Sequence, residues 1–385
     1  MTRPPPRRED NPTGQFQIPT EPPPQRDPDG FPAEFGLRNQ STRMLPRGAI
    51  EAALQLRGLP VRELFHARLD AVRTAYRGTP ENGALVAAVD PARGVSAAVR
   101  VIAQPDGQPA SLSIGRHERC QLCLTDPAVS LRHAIMVLRK LPTGDLRVRL
   151  IDLRTGLGLT GEDGRPLESV SVEGHLFIGL GRYVLMILLG GEDLWCSNDG
   201  GEVFDTLPPR VFFDTRERVP GMSSPRQRRL PHDEISGMKI ASGTRTAARA
   251  RGIMDFHSRV SIHAAPSPLK LPQSVMSGDR RGTLSIACKA GSATVPLYDA
   301  QVRDGVLLGR YDRCESADLP FELPDTVSRV HALVLSDGDG LYVVDTASTF
   351  GLRTIDDVEV PGLRLRDETE FKLGTETRVR WVPTP

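Results

Sequence analysis

Arg116 and Arg310 are the residues whose setting could do chemistry. Each follows a glycine, in Gly115-Arg116-His117-Glu118-Arg119-Cys120 and Gly309-Arg310-Tyr311-Asp312-Arg313-Cys314, an offset of 194 residues. A serine and a histidine come next in both places: Val129-Ser130-Leu131-Arg132-His133-Ala134 and Val327-Ser328-Arg329-Val330-His331-Ala332. Each copy then has an Asp six residues before a Gly, Asp152 to Gly158 and Asp345 to Gly351. A planar guanidinium can meet two oxygens of an anion at once, and a serine hydroxyl can donate to another. Serine three residues before histidine also raises nucleophilic catalysis, but no acid or oxyanion element recurs beside either pair, so no catalytic residue is assigned. Cys120-x-x-Cys123 is a lone pair, whereas zinc needs four ligands. Leu122 and Leu124 alternate around Cys123, which reads as a strand, and no metal is expected.

Three signatures kept in order, with intervals that drift by a few residues, indicate one domain present twice. Gly-Arg at a strand end, Ser-x-x-His opening another strand, and an Asp-x-x-Ser/Thr-x-x-Gly turn together resemble the forkhead-associated (FHA) domain. The resemblance implies a β-sandwich that binds phosphothreonine peptides through loops at one end. It also implies roles. Arg116 and Arg310 take the position of the phosphate-binding arginine, after Gly115 and Gly309, and Ser130 and Ser328 supply a hydroxyl to the phosphate. His133 and His331 brace the loops from behind. In the second copy, Asp345-Thr346-Ala347-Ser348-Thr349-Phe350-Gly351 keeps Ser348 and Gly351 as supports and places Thr349 as a further hydroxyl; Arg329 is also family-like. Phe350 stands where the family usually has an Asn that grips the peptide backbone. The first copy departs further, with Gly156 and Leu157 in Asp152-Leu153-Arg154-Thr155-Gly156-Leu157-Gly158 and Leu131 after its serine. Charged hydrogen bonds to phosphate are worth roughly 1.5–3 kcal/mol each, so the first copy is expected to bind weakly or serve only as structure.

The elements that must position these residues follow from pattern. Residues 84–190 and 282–383 are expected to form the two sandwiches. Leu146, Val148 and Leu150 alternate with arginines at the period of a half-buried strand. Tyr183 to Leu189 is apolar on both phases and suits a closing strand between two layers. Before the first sandwich, residues 47–79 read as a short helical pair. Ile50, Ala53 and Leu54 mark one helix, and Val61, Leu64, Phe65, Leu69, Val72 and Tyr76 form an apolar stripe along the next. Such a pair is too small to be stable alone and must pack on the sandwich or on another protein.

Residues 1–46 carry ten prolines before Gly36 and few large apolar residues, so a disordered tail is expected. Residues 198–280 lose strand patterning. From Arg210 to Arg259 eleven Arg/Lys face five Asp/Glu, which reads as a basic flexible linker. The fold class expected is therefore all-β, with two sandwiches, a helical pair, a disordered tail and a disordered linker.

Charges nearly cancel, 49 basic against 48 acidic, so nothing pulls the whole chain toward nucleic acid or membrane. The linker has almost no aromatic interleaving, which argues against a nucleic-acid partner. Five cysteines form an odd, sparse set that is no disulfide framework. The start, Met1 to Asp10, has arginines without an apolar run behind them, and the longest strongly apolar run is seven residues. Neither a secretory signal nor a membrane span is expected, and the expected compartment is the cytoplasm. No nucleotide loop, metal cluster or acid–base pair points to an enzyme or a cofactor. The expectation is a non-enzymatic adaptor that reads phosphothreonine-containing proteins, mainly through the second copy, with a Ser/Thr kinase upstream. The alternative is a structural scaffold whose degenerate folds dock partners independently of phosphate.

Overall fold

The computed structural model describes residues 61–104, 108–191, 194–214, 226–229, 260–268, 279–337 and 340–384. The proline-rich stretch 1–46 and the helix expected at Ile50 to Leu54 lie outside these residues. Within them the chain is mainly β, arranged as two sandwiches.

One sheet of the first sandwich runs β2 (Gly94–Ile102), β1 (Gly83–Asp90), β11 (Tyr183–Leu189), β10 (Leu176–Leu180), β7 (Leu159–Thr160) and β8 (Pro166–Leu167). The facing sheet contains β9 (Ser169–Val172), β6 (Leu146–Asp152), β5 (Ala134–Lys140), β3 (Ala110–Gly115) and β4 (Leu122–Cys123) in that order. All seven residues of β11 are buried because both of its faces are covered. Tyr183, Leu185, Ile187 and Leu189 enter the core between the sheets. Val184, Met186 and Leu188 face outward onto a helical layer. That layer includes α1 (Val61–Ala67) and α2 (Leu69–Tyr76), whose Leu64, Phe65, Leu69, Val72 and Tyr76 are buried against it. Tyr76 Oη donates to the Leu189 carbonyl at 2.8 Å. The apolar helix stripe and the two-faced strand are thus two halves of one contact.

At residues 200–214 and 260–265 the linker expected over 198–280 is corrected by this arrangement. Residues Gly200–Thr206 form α3, which packs Val203 and Phe204 into the helical layer. Strands β12 (Arg210–Asp214), β13 (Arg226–Arg229) and β14 (Val260–Ala265) extend the second sheet beyond β9. β14 pairs antiparallel with β9 (Ile262 opposite Val172), and β12 runs parallel to β14. Arg210 is buried in a two-pronged pair with Glu162, at 2.7 and 3.0 Å, and lies against the neighbouring rings of Phe177 and Phe204. Composition averaged over a long basic stretch hides two short strands whose Val211, Phe212, Val260 and Ile262 are buried while Phe213 is half-buried. Residues 215–225, 230–259 and 269–278 lie outside the described residues.

In the second sandwich, β16 (Gly291–Tyr298), β15 (Arg280–Cys288), β24 (Thr377–Pro383), β23 (Thr369–Leu373), β20 (Leu352–Thr354) and β21 (Glu359–Val360) form one sheet. The other is β17 (Val306–Leu308), β18 (Ala332–Asp337), β19 (Gly340–Asp345) and β22 (Gly362–Leu365). A one-and-a-half-turn helix, α4 (Asp299–Asp304), joins the sheets, and Phe371 and Trp381 lie in the core.

The two sandwiches meet through equivalent sheet faces. Ile135, Val137, Ile151 and Leu153 from the first pack with Leu307, Leu333, Leu335 and Val344 from the second. Arginines of the first domain reach carbonyls of the second at this seam: Arg139 Nη1 to Asp337 at 2.8 Å and Arg149 Nη1 to Ser336 at 3.1 Å.

Candidate functional site

Both Gly-Arg signatures end the strand that leads to the loops. Each glycine lies against the chain after the signature serine. A Cβ on Gly115 would come within 2.3 Å of the Leu131 carbonyl oxygen, and one on Gly309 within 2.2 Å of that of Arg329. No side chain fits there, so the glycine is what lets the arginine's strand approach the serine's turn. The following amides close the contact: Arg116 N donates to Ser130 O at 2.8 Å, and Arg310 N to Ser328 O at 3.2 Å.

The arginine side chains are held alike. Arg116 Nε donates to Val129 O at 3.2 Å and Arg310 Nε to Val327 O at 2.6 Å. The serine amides are also held alike, Ser130 N by His133 Nδ1 at 3.2 Å and Ser328 N by His331 Nδ1 at 3.0 Å. On their far side the imidazoles face Gly158 O at 3.4 Å and Gly351 O at 3.1 Å. These histidines therefore tie the serine turn to the third signature in both copies. Burial pushes the His133 pKa down to about 4, so near neutrality its Nδ1 can accept while Nε2 donates. Gly158 and Gly351 have φ of +80° and +75°, a conformation that favours glycine.

In the second copy, the third signature forms a tight turn. Asp345 accepts from Ser348 N at 3.0 Å and Ser348 Oγ at 2.5 Å. Thr349 N donates to Ser328 Oγ at 2.9 Å, and the two hydroxyls are 3.4 Å apart. Arg310, Arg329 and Thr349 are half-buried, whereas Ser328 is buried. Arg310 Nη1 reaches the exposed carboxylate of Asp325 at 3.0 Å, and Nη2 is buried with no hydrogen-bond partner among the described residues. Phe350 is 41% exposed.

The first copy builds the same frame with different contents. Asp152 Oδ1 accepts from Arg154 N at 2.9 Å, and burial raises the Asp152 pKa to about 7. A Cβ on Gly156 would lie 2.2 Å from Ser130 Oγ. The Ser130 hydroxyl therefore fills the space that a side chain at position 156 would need. Ser130 Oγ is buried without a hydrogen-bond partner, Leu131 is buried, and Leu157 is 39% exposed.

Two arginines that the sequence reading assigned no role come to the second copy's turn from the first domain. Arg132 Nε and Nη2 donate to Ala347 O at 3.0 and 2.7 Å, and Arg119 Nη1 donates to Thr349 O at 2.8 Å. A signal for Arg119 was present, since the repeated signature carries an arginine three residues after Arg116 and after Arg310. Its partner was not readable. Among the described residues no group of three or more His, Cys, Asp or Glu side chains could hold a metal ion.

The sequence model of the FHA domain matches residues 112–173 and 306–374, which contain the three signatures of each copy. The chain thus carries two FHA domains, one in each sandwich. Solved structures with similarity include the Slr1951 protein from Synechocystis sp. (22% identity, 28% of this chain and 99% of that one, TM-score 0.23). Another is FHA-1 of Mycobacterium tuberculosis Rv1747 (20% identity, 26% and 98%, TM-score 0.21). A third is Mycobacterium tuberculosis EmbR in complex with a low-affinity phosphopeptide (16% identity, 27% and 25%, TM-score 0.22). No curated protein matches the chain.

Proposed function

We propose that this protein is a non-enzymatic adaptor that binds phosphothreonine-containing protein segments, mainly through its second FHA domain, downstream of a Ser/Thr kinase. The observation that carries the reading is the state of Arg310. Its Nε is fixed by a backbone carbonyl, its Nη2 lacks a partner, and its Nη1 holds an exposed carboxylate. Ion pairs with exposed carboxylates are worth about 0–1 kcal/mol, so a phosphate dianion can displace Asp325 from Nη1, and a small shift of the side chain would bring the buried Nη2 to a second oxygen. Ser328 and Thr349 bring two hydroxyls together in the same loop cluster. Arg329 adds a further cation there.

In the first domain, Arg116 and Ser130 remain, but Gly156 supplies no hydroxyl and Leu131 no charge, which supports a weaker role. The free cysteines suit a reducing compartment, and the cytoplasm is part of the same proposal. Among the described residues no helix is long and apolar enough to cross a membrane. A scaffold that docks partners without phosphate is the second reading. It is favoured by the exposed apolar Phe350 and Leu157, which replace a backbone-gripping amide in both copies.

Calorimetry of the full chain with phosphothreonine peptides, and with the same peptides unphosphorylated, separates the two. Arg310→Ala should weaken phosphopeptide binding tenfold or more, at roughly 1.5–3 kcal/mol per charged hydrogen bond lost. Arg310→Lys should also bind poorly, because one ammonium cannot reproduce a two-pronged contact. Equal binding of both peptide forms, or indifference to Arg310→Ala, would leave the scaffold reading standing.

A further inference from the structure

The turn that sets Thr349 beside Ser328 is held from outside its own domain. Ala347 adopts φ +64°, a left-handed conformation that costs a residue with a Cβ, as its counterpart Arg154 in the first copy does at +54°. Inside the domain, Thr346 Oγ1 donates to Val330 O at 2.9 Å and Ser348 bonds Asp345, but neither contact holds the carbonyls of Ala347 and Thr349. Arg132 and Arg119 of the first domain take both.

Arg132 is 4% exposed and gives two donors to one carbonyl in a buried seam, where hydrogen bonds are stronger than in water. Arg119 also pairs with Glu359 of β21, whose side chain lies against Gly351. One arginine thus bridges the turn and the strand edge beside its last residue. The apolar contact between the two sheet faces keeps both arginines in place. Arg119 and Arg132 come from the two loops of the first domain that carry Arg116 and Ser130. The counterpart of Arg119 in the second copy, Arg313, lies over the Tyr311 ring of its own domain at 5.5 Å.

We propose that the first FHA domain positions the binding site of the second, with Arg119 and Arg132 holding the Ala347–Thr349 turn in ligand-ready form, so that the two domains make one phosphopeptide-binding unit. The proposal rests on the phosphopeptide reading above. Thr349 N bonds Ser328 Oγ, so tethering Thr349 through its carbonyl also fixes the orientation of the Ser328 hydroxyl. A turn ordered before the ligand arrives does not charge its ordering entropy to binding. Arg119 and Arg132 are positioning residues and need not touch the ligand.

The test uses the full chain and the tightest-binding phosphothreonine peptide selected from a degenerate pool. Affinity is read by calorimetry, alongside amide hydrogen exchange across residues 346–351. Arg119→Ala and Arg132→Ala should each weaken binding roughly tenfold, the scale expected when ordering about one residue shifts from folding to binding. Exchange across the turn should rise in both variants, and Arg119→Lys should recover part of the affinity. The Arg119 side chain is 38% exposed, so its replacement should leave the melting temperature nearly unchanged and decides the matter even where Arg132→Ala fails to fold. Affinity within about twofold of the native chain for Arg119→Ala, while Arg310→Ala abolishes binding, overturns the positioning role and leaves the phosphopeptide reading intact. No binding of any phosphothreonine peptide by the native chain overturns both.

Discussion

Arg210→Met should cost the first domain about 3–5 kcal/mol, the range for breaking a buried ion pair by removing one partner. The native geometry supports a value in that range. The paired side chains are 1% and 6% exposed, the guanidinium makes two hydrogen bonds to Glu162, and its carbon lies 4.9 and 4.8 Å from the centres of the Phe177 and Phe204 rings. Methionine would fill much of the space and keep contact with the rings, but it would leave a buried carboxylate without its partner. One term lowers the worth of the native pair: Arg210 Nη1 is buried with no hydrogen-bond partner. For a domain of this size the loss corresponds to a fall in Tm of roughly 10 °C. Thermal unfolding would be followed in the near-ultraviolet signal of Trp195, which stacks on Phe65 in the same helical layer. Limited chymotrypsin treatment should at the same time open cleavage within residues 200–214, at Phe204, Phe212 or Phe213. Arg210→Met combined with Glu162→Leu should recover most of the loss, because no charge is then buried alone. A loss under about 1 kcal/mol, or a double variant no better than the single one, would show that this pair does not fasten the segment after Thr206 to the first sandwich.

Two further outcomes are expected. The second sandwich cut out as residues 279–384 should self-associate, since Leu307, Leu333, Leu335 and Val344 lose their cover; a monodisperse monomer by light scattering would show that this face tolerates water. Stability of the first domain against pH should combine two opposed groups. His133, depressed to about 4, contributes stability that is present above its unfolded pKa of 6.5 and lost as pH falls through 4. Asp152, raised to about 7, contributes stability that is present below 3.8 and lost as pH rises through 7. The two offset each other between these limits, so Asp152→Asn should expose the histidine alone. The unfolding free energy from urea titrations should then fall between pH 6.5 and 4 by about 3 kcal/mol more than in the native chain, and parallel curves for the two proteins would refute the assignment.

Much of the candidate site was legible in the sequence because its constraints are local. Gly115 and Gly309 have no room for a side chain, Gly158 and Gly351 need positive φ, and serine and histidine three residues apart bond each other directly. Each of these requirements falls within a few residues, so it leaves a recognisable spacing. The helix stripe from Leu64 to Tyr76 and the two-faced strand Tyr183–Leu189 were readable for the same reason, as each periodicity reports how many of its faces are covered. What the sequence determined by itself is therefore two copies of one domain, the loops that would meet a phosphate, and the first copy's departures from the pattern.

The tertiary structure alone decided how the copies act on each other. Arg132 and Ala347 are 215 residues apart, and Arg119 and Thr349 are 230 apart; no local period encodes either contact. Strands β5 and β18 are apolar on both phases, in Ala134-Ile135-Met136-Val137-Leu138 and Ala332-Leu333-Val334-Leu335, which shows that their outer faces are covered but not by what. Residues 200–214 and 260–265, between the domains, were misread because strand pairing is a property of the partner as much as of the strand. Val260–Ala265 gains its place from the open edge of β9, and Arg210 from a carboxylate 48 residues earlier. Composition describes how a segment behaves in water. It does not describe the edge or the charge that the fold holds ready for it.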